Sequence, residues 1–141
     1  MSKQHSPNKE EWSVYREYVL GVRIFESSAD ETVYRFDAPD HERTEFADSE
    51  AAELYADVYF DVNGFVEAGT GDRGLPPAVV QAGKDTLAAY LVSQPGVDTN
   101  WVASFFGRKP GKIEAYLSMV RARADEIRGG VVEQQAERGE S

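Results

Sequence analysis

Six basic residues, Arg108, Lys109, Lys112, Arg121, Arg123 and Arg128, stand between Thr99 and Arg128 against three acidic ones, Glu114, Asp125 and Glu126, a net of +3. The rest of the 141-residue chain holds nine basic and twenty-two acidic residues, a net of −13, so the whole carries −10. Cations gathered on one short segment of an acidic chain suit phosphate, which they hold without reading sequence. Other chemistry is poorly provided for. The chain has no cysteine, which excludes disulfides, thiolate metal sites and a cysteine nucleophile. Its two histidines are His5, in a polar lead, and His41, in the turn-rich stretch DAPDH. Asp37, Asp40, His41 and Glu42 could ligate a metal together, yet acidic residues are expected in a turn for turn chemistry alone. No Ser/His/Asp arrangement stands out, and carboxylates are too plentiful for any pair to signal acid–base catalysis. The glycines of NGFVEAGTGDRGLPP follow no GxGxxG pattern, and no Lys-Ser/Thr follows a Gly, so no phosphate cradle is read there. The chain is expected not to be an enzyme, to need no cofactor and to hold no metal.

The basic segment has its own local logic. Asp98 is suited to cap a helix, its carboxylate accepting from orphan amides of the first turn. Val102, Ala103 and Phe106 then share one helical face. Gly107 follows where a left-handed residue ends a helix at least cost. Pro110 fits the first turn of the next helix, where its missing N–H would be unpaired anyway. Beyond it Ile113, Leu117, Val120, Ala124 and Ile127 recur by fours and threes, a single buried stripe. A short helix, a tight turn and a longer helix are therefore expected over Asp98 to Arg128.

Ala103, Gly107 four residues on and Ile113 six beyond that, with Val102 and Phe106 alongside, resemble the helix-turn-helix of many DNA-binding proteins. The run GRKPGKIEAYLSMVRAR is similar to the recognition segment of sigma-factor region 4 domains, in which a Gly turn, a Pro/Glu-Gly pair and a Leu-Ser recur. Arg108 departs from the pattern, since an apolar residue usually follows the turn glycine. The resemblance covers about thirty residues near the C-terminus. The whole chain also resembles small haloarchaeal proteins that end in such a motif, a likeness that brings no function with it. What the motif implies is a protein that binds double-stranded DNA, as a homodimer, in transcriptional or replicon regulation.

On the second helix of the motif, Gly111, Ala115, Ser118 and Ala122 lie opposite the buried stripe. Side chains this small would let the helix sit deep in a major groove. Lys109 and Lys112, near its start, would approach base edges or phosphates. Arg108 and Arg121 would hold phosphates, and Ser118 could donate to base or phosphate. Glu114 is expected to be a solvated helix charge, and Arg121 has an alternative in pairing with Asp125 at i,i+4. The small face has a rival use as a seam between two helices, which would make the chain a protein-interaction module of helix-turn-helix shape that leaves DNA alone. Trp101 and Phe105 are expected to pack on the N-terminal half, or else to form an exposed partner site.

The remaining elements must position this unit. Residues 1–9 read as a disordered lead. Trp12, Tyr15, Val19 and Val22 repeat at helical spacing, so a helix is expected from Glu10 to about Leu20, with GVRIFE extending it or forming a strand. Thr32–Phe36 and Arg43–Ala47 read as a small β-hairpin. Asp48 should cap a helix carrying Ala51, Leu54, Tyr55 and Val58 inward, ended by Asn63-Gly64. Pro76-Pro77 opens another helix, which Gly83 breaks and Gln94-Pro95-Gly96 stops. The fold expected is mainly α, with N-terminal helices and a small hairpin over 10–74, a C-terminal three-helix helix-turn-helix domain over 75–128 and a disordered tail over 129–141. No apolar run is long enough to span a bilayer, so no membrane association and a cytoplasmic location are expected. Abundant Asp and Glu with few Lys point to a halophilic source; at molar salt the Debye length is ~3 Å, so distant carboxylates would barely oppose a phosphate.

Overall fold

The computed structural model describes residues 12–27, 31–39, 41, 43–65 and 75–137. Among these residues four antiparallel strands come first: β1 (Trp12–Glu17), β2 (Arg23–Ser27), β3 (Tyr34–Asp37) and β4 (Thr44–Phe46), in sheet order β1-β2-β3-β4. Five helices of the described residues follow: α1 (Ser49–Asp61), α2 (Pro77–Ala82), α3 (Lys84–Val92), α4 (Thr99–Phe106) and α5 (Pro110–Glu137). Among the described residues no helix is long and apolar enough to cross a membrane.

The helix expected from Glu10 to Leu20 is instead β1 and its turn. Leu20 and Gly21 both have positive φ, 63° and 75°, and the amide of Val22 donates to the carbonyl of Val19 at 3.3 Å. Two successive left-handed residues make the tight hairpin turn whose twist matches paired strands. The helical spacing of Tyr15 has a separate origin. The β1–β2 register slips between Val14 and Arg16, leaving Tyr15 in a bulge. A bulge re-aims its side chain; the Tyr15 hydroxyl donates to Glu53 on α1 at 2.7 Å. GVRIFE supplies β2, and the hairpin read at Thr32–Phe36 and Arg43–Ala47 is β3–β4, with Tyr34 opposite Phe46. Two extra strands give that hairpin the support a pair alone lacks.

Ile24, Phe36 and Phe46 turn one face of the sheet onto α1, whose Ala52, Leu54, Tyr55, Ala56, Val58 and Phe60 are buried. Asn63 (φ 60°) and Gly64 (φ 95°) end α1, and the Gly64 amide donates to the Tyr59 carbonyl at 2.7 Å. Asp48 stands at the N-cap of α1 but its side chain makes no capping bond. On the far side of α1, Leu117, Val120 and Ala124 of α5 enter the same core. A second, smaller cluster joins α3, α4 and α5 through Ala88, Val102, Ala103, Ile113 and Tyr116. α5 does not stop at Arg128: it continues through Gly129 and Gly130 to Glu137, so the tail expected from residue 129 is helical over most of its length. Elongating an existing helix is far easier than nucleating one, and the buried turns upstream supply the nucleus.

Tyr18 is 9% exposed, and among the described residues its hydroxyl has no hydrogen-bond partner. Its ring lies between the Arg16 and Arg128 guanidiniums, 4.9 and 5.0 Å from the centroid. Burial pushes its pKa up from 10.0 to about 12. With the folded value above the unfolded one, the stability tied to this group is present below pH 10 and lost as pH rises through about 12. Tyr18→Phe is expected to stabilise the protein by about 1 kcal/mol at neutral pH, because it deletes a buried unpaired hydroxyl. It should also flatten the alkaline loss. Urea unfolding at neutral pH and in the alkaline limb checks both, and a destabilised variant at neutral pH would refute the first.

Candidate nucleic-acid interface

α4 begins as its sequence dictates: the Asp98 carboxylate accepts from the Trp101 amide at 2.9 Å. It ends at Gly107, whose φ of 67° and ψ of 37° are left-handed. No atom lies within 4 Å of where a Cβ would sit there, so backbone conformation and not space selects glycine. The Arg108 amide reaches back to the Ala103 carbonyl at 2.8 Å and the Gly107 amide to Ser104 at 3.1 Å, closing the turn. α5 restarts at Pro110, with the Lys112 amide donating to the Lys109 carbonyl at 2.9 Å. Val102, Ala103 and Ile113, all nearly or fully buried, hold the two helices against each other and against Ala88 of α3.

Arg108, Lys109, Lys112, Ala115, Ser118 and Arg121 are all exposed, as are Gly111 and Ala122. They do not form one surface. Lys112 and Arg121 are nine positions apart, and at about 100° per residue they leave α5 on opposite sides. Arg121 lines a cleft of about 420 Å³ with Asp48, Glu50 and Glu114. It also borders an adjoining one of about 440 Å³ with Glu53, Asp57 and Asp125. The cationic front is thus Arg108, Lys109 and Lys112, beside Gly111 and Ala115, and Arg121 belongs with Ser118 to the acidic groove between α1 and α5. The pairing of Arg121 with Asp125 is replaced by one between Arg128 and Asp125. Lys112 holds its ammonium 5.4 Å from the centre of the Tyr116 ring, which orients it without neutralising it.

The other two arginines of the segment are structural. Arg123 donates from Nε to Asp61 at 2.7 Å and from Nη2 to the second Asp61 oxygen at 2.9 Å, and its Nη1 lies 2.8 Å from Asp85. Hydrogen bonds to Asp61, then to Asp85, hold its pKa above the ordinary arginine value. Arg128 donates to Asp57 at 3.0 Å. Burial raises the Asp57 pKa, and the bond from Arg128 opposes that rise. Half the apparent basicity of the segment is therefore spent or turned aside, and what remains is concentrated at one helix end. That end carries no acidic residue in its first turn. Cations beside the positive end of a helix dipole are unfavourable unless an anion sits there.

Trp101 and Phe105 do not pack on the N-terminal half. They are 50% and 57% exposed, and their rings stack at 5.5 Å with an interplanar angle of 10°. Spacing of four along α4 is the one trace of this pair in the sequence; its exposure had none. Of the candidate metal ligands, His41 is buried, and its Nε2 lies 3.0 Å from the Tyr55 hydroxyl. Asp40 and Glu42 lie outside the described residues, as do His5 and most of the glycine-rich loop. Among the described residues no group of three potential ligands could hold a metal ion. The chain matches no family model, no curated protein and no solved structure.

Proposed function

We propose that this chain binds duplex DNA through a helix-turn-helix formed by α4, Gly107 and α5, with α3 as the third helix, and acts as a transcriptional or replicon regulator. The observation that carries the reading is the exposed trio Arg108, Lys109 and Lys112 at an amino-terminal helix end with no carboxylate in its first turn. A phosphate placed there meets three cations beside the positive end of the helix dipole. Gly111, Ala115 and Ser118 leave the following turns slim enough to enter a major groove. Arg121 has no part in this contact, because it faces the α1 groove.

The test is DNA recovery at native salt, by genomic footprinting and by titration against salt on a recovered duplex. Lys109→Ala/Lys112→Ala should weaken binding and lower the log–log salt slope by about 2, near one unit for each phosphate that is no longer neutralised. Arg121→Ala should leave the slope unchanged. Equal DNA recovery by wild type and the double variant would sink the assignment. The uncovered face of Gly111, Ala115, Ser118 and Ala122 supports a second reading, a helix–helix seam between two copies with no DNA bound. In that case Ala115→Arg turns a dimer into a monomer in sedimentation, and neither protein retains duplex.

A further inference from the structure

We infer that the stacked Trp101–Phe105 pair on α4 is a platform for unpaired bases, so that the protein takes DNA where a single strand adjoins the duplex. This rests on the duplex-binding reading above. The inner face of α4 is buried without the pair, by Val102 and Ala103 with Phe106 packed beside them, and both large rings are half exposed. They lie parallel to each other, and Phe106 meets Phe105 edge-on at 5.2 Å.

Charge selects the occupant. The Arg108 amide bonds back to the Ala103 carbonyl, so the chain that carries Arg108 and Lys109 leaves α4 at the Phe105 end of the pair. A second copy docking two-fold symmetrically on the same patch would oppose Arg108, Lys109 and Lys112 to themselves. An uncharged apolar segment would leave those cations unanswered. A strand of DNA answers both features, since its phosphates meet the cations and its bases present flat faces to the rings. In an intact duplex those faces are hidden inside the stack. They become available at an opened or overhanging strand.

The chain has two tryptophans, and the other, Trp12, lies on β1 beneath the Arg35 guanidinium, 4.3 Å from its ring centre. Trp12→Phe therefore leaves Trp101 as the sole reporter. In that background, a duplex with an oligothymidylate overhang should quench Trp101 emission and bind roughly tenfold tighter than the blunt duplex. Read by the anisotropy of a labelled duplex, Trp101→Ala/Phe105→Ala should erase the difference while blunt-duplex affinity stays, and Trp101→Phe should keep most of it. Equal affinity for overhang and blunt duplex, with blunt binding intact, overturns this inference and spares the duplex reading. Failure of any duplex to bind defeats the reading itself. An oligouridylate overhang bound more tightly than oligothymidylate, or an aromatic-pair variant that changes oligomeric state instead of affinity, also overturns it.

Discussion

Arg123→Ala is expected to lower the melting temperature by about 6–12 °C. The Asp61 side chain is only 4% exposed at the end of α1, and both its oxygens accept from Arg123. The Thr86 hydroxyl donates to the same carboxylate at 2.7 Å and accepts from Arg123 at 3.2 Å, so one arginine ties α1, α3 and α5 together. Removing it strands a buried carboxylate, which costs about 3–5 kcal/mol where the pair is fully enclosed. Arg123 is itself 40% exposed, so water can enter its place, and ~3 kcal/mol is the better figure. For a chain of this size each kcal/mol moves the midpoint by about 2–4 °C. Asp61→Asn in the Arg123→Ala background should recover part of the loss, because the more deeply buried of the two carboxylates that Arg123 pairs is then neutral, while Asp85 stays unpaired. A calorimetric midpoint for Arg123→Ala within a degree or so of wild type would show that this network holds nothing together.

Tyr55→Ala is expected to cost about 3–5 kcal/mol, the range for emptying a large aromatic site. The side chain is fully buried and meets Phe36 at 5.0 Å, Phe46 at 5.1 Å and Phe65 at 5.5 Å between ring centres. With Tyr59, 5.3 Å from Phe36, it is one of the rings through which α1 holds the sheet. Tyr55→Phe should cost only about 1 kcal/mol, the worth of its hydrogen bond with His41. Total stabilities of such domains run to about 5–15 kcal/mol, so the alanine variant should unfold at markedly lower urea and the phenylalanine variant close to wild type. If the two variants unfolded at the same urea concentration, the hydroxyl and not the ring would be the part that matters.

Much of the helical half could be read without coordinates, because its determinants are local. Asp98 bonds an amide three residues away, Gly107 needs only its own φ, Asn63-Gly64 and Gly83 stop helices by their own backbone freedom, and the Ile113-to-Ala124 stripe follows from helical periodicity. β1 escaped because the spacing of Trp12, Tyr15 and Val19 fits a helix equally well. Pairing with β2 overrode it, through a turn carried by Leu20-Gly21 instead of the usual Asn-Gly, with a bulge at Tyr15.

The candidate site divides the same way. Residue order by itself determined that the net positive charge lies between Arg108 and Arg128, and it placed a helix-ending glycine at Gly107. Tertiary structure alone decided which of those cations are free. Arg123 finds Asp61 across 62 residues and Arg128 finds Asp57 across 71, and no local pattern encodes a partner that far away. The exposure of Trp101 and Phe105 was decided likewise, since an aromatic at helical spacing becomes core or surface only when the neighbouring helices choose their faces. Caps, turns and periodicity act within a few residues and so are written along the chain; burial and ion pairing depend on which distant segments meet, and they exist only once the chain has folded.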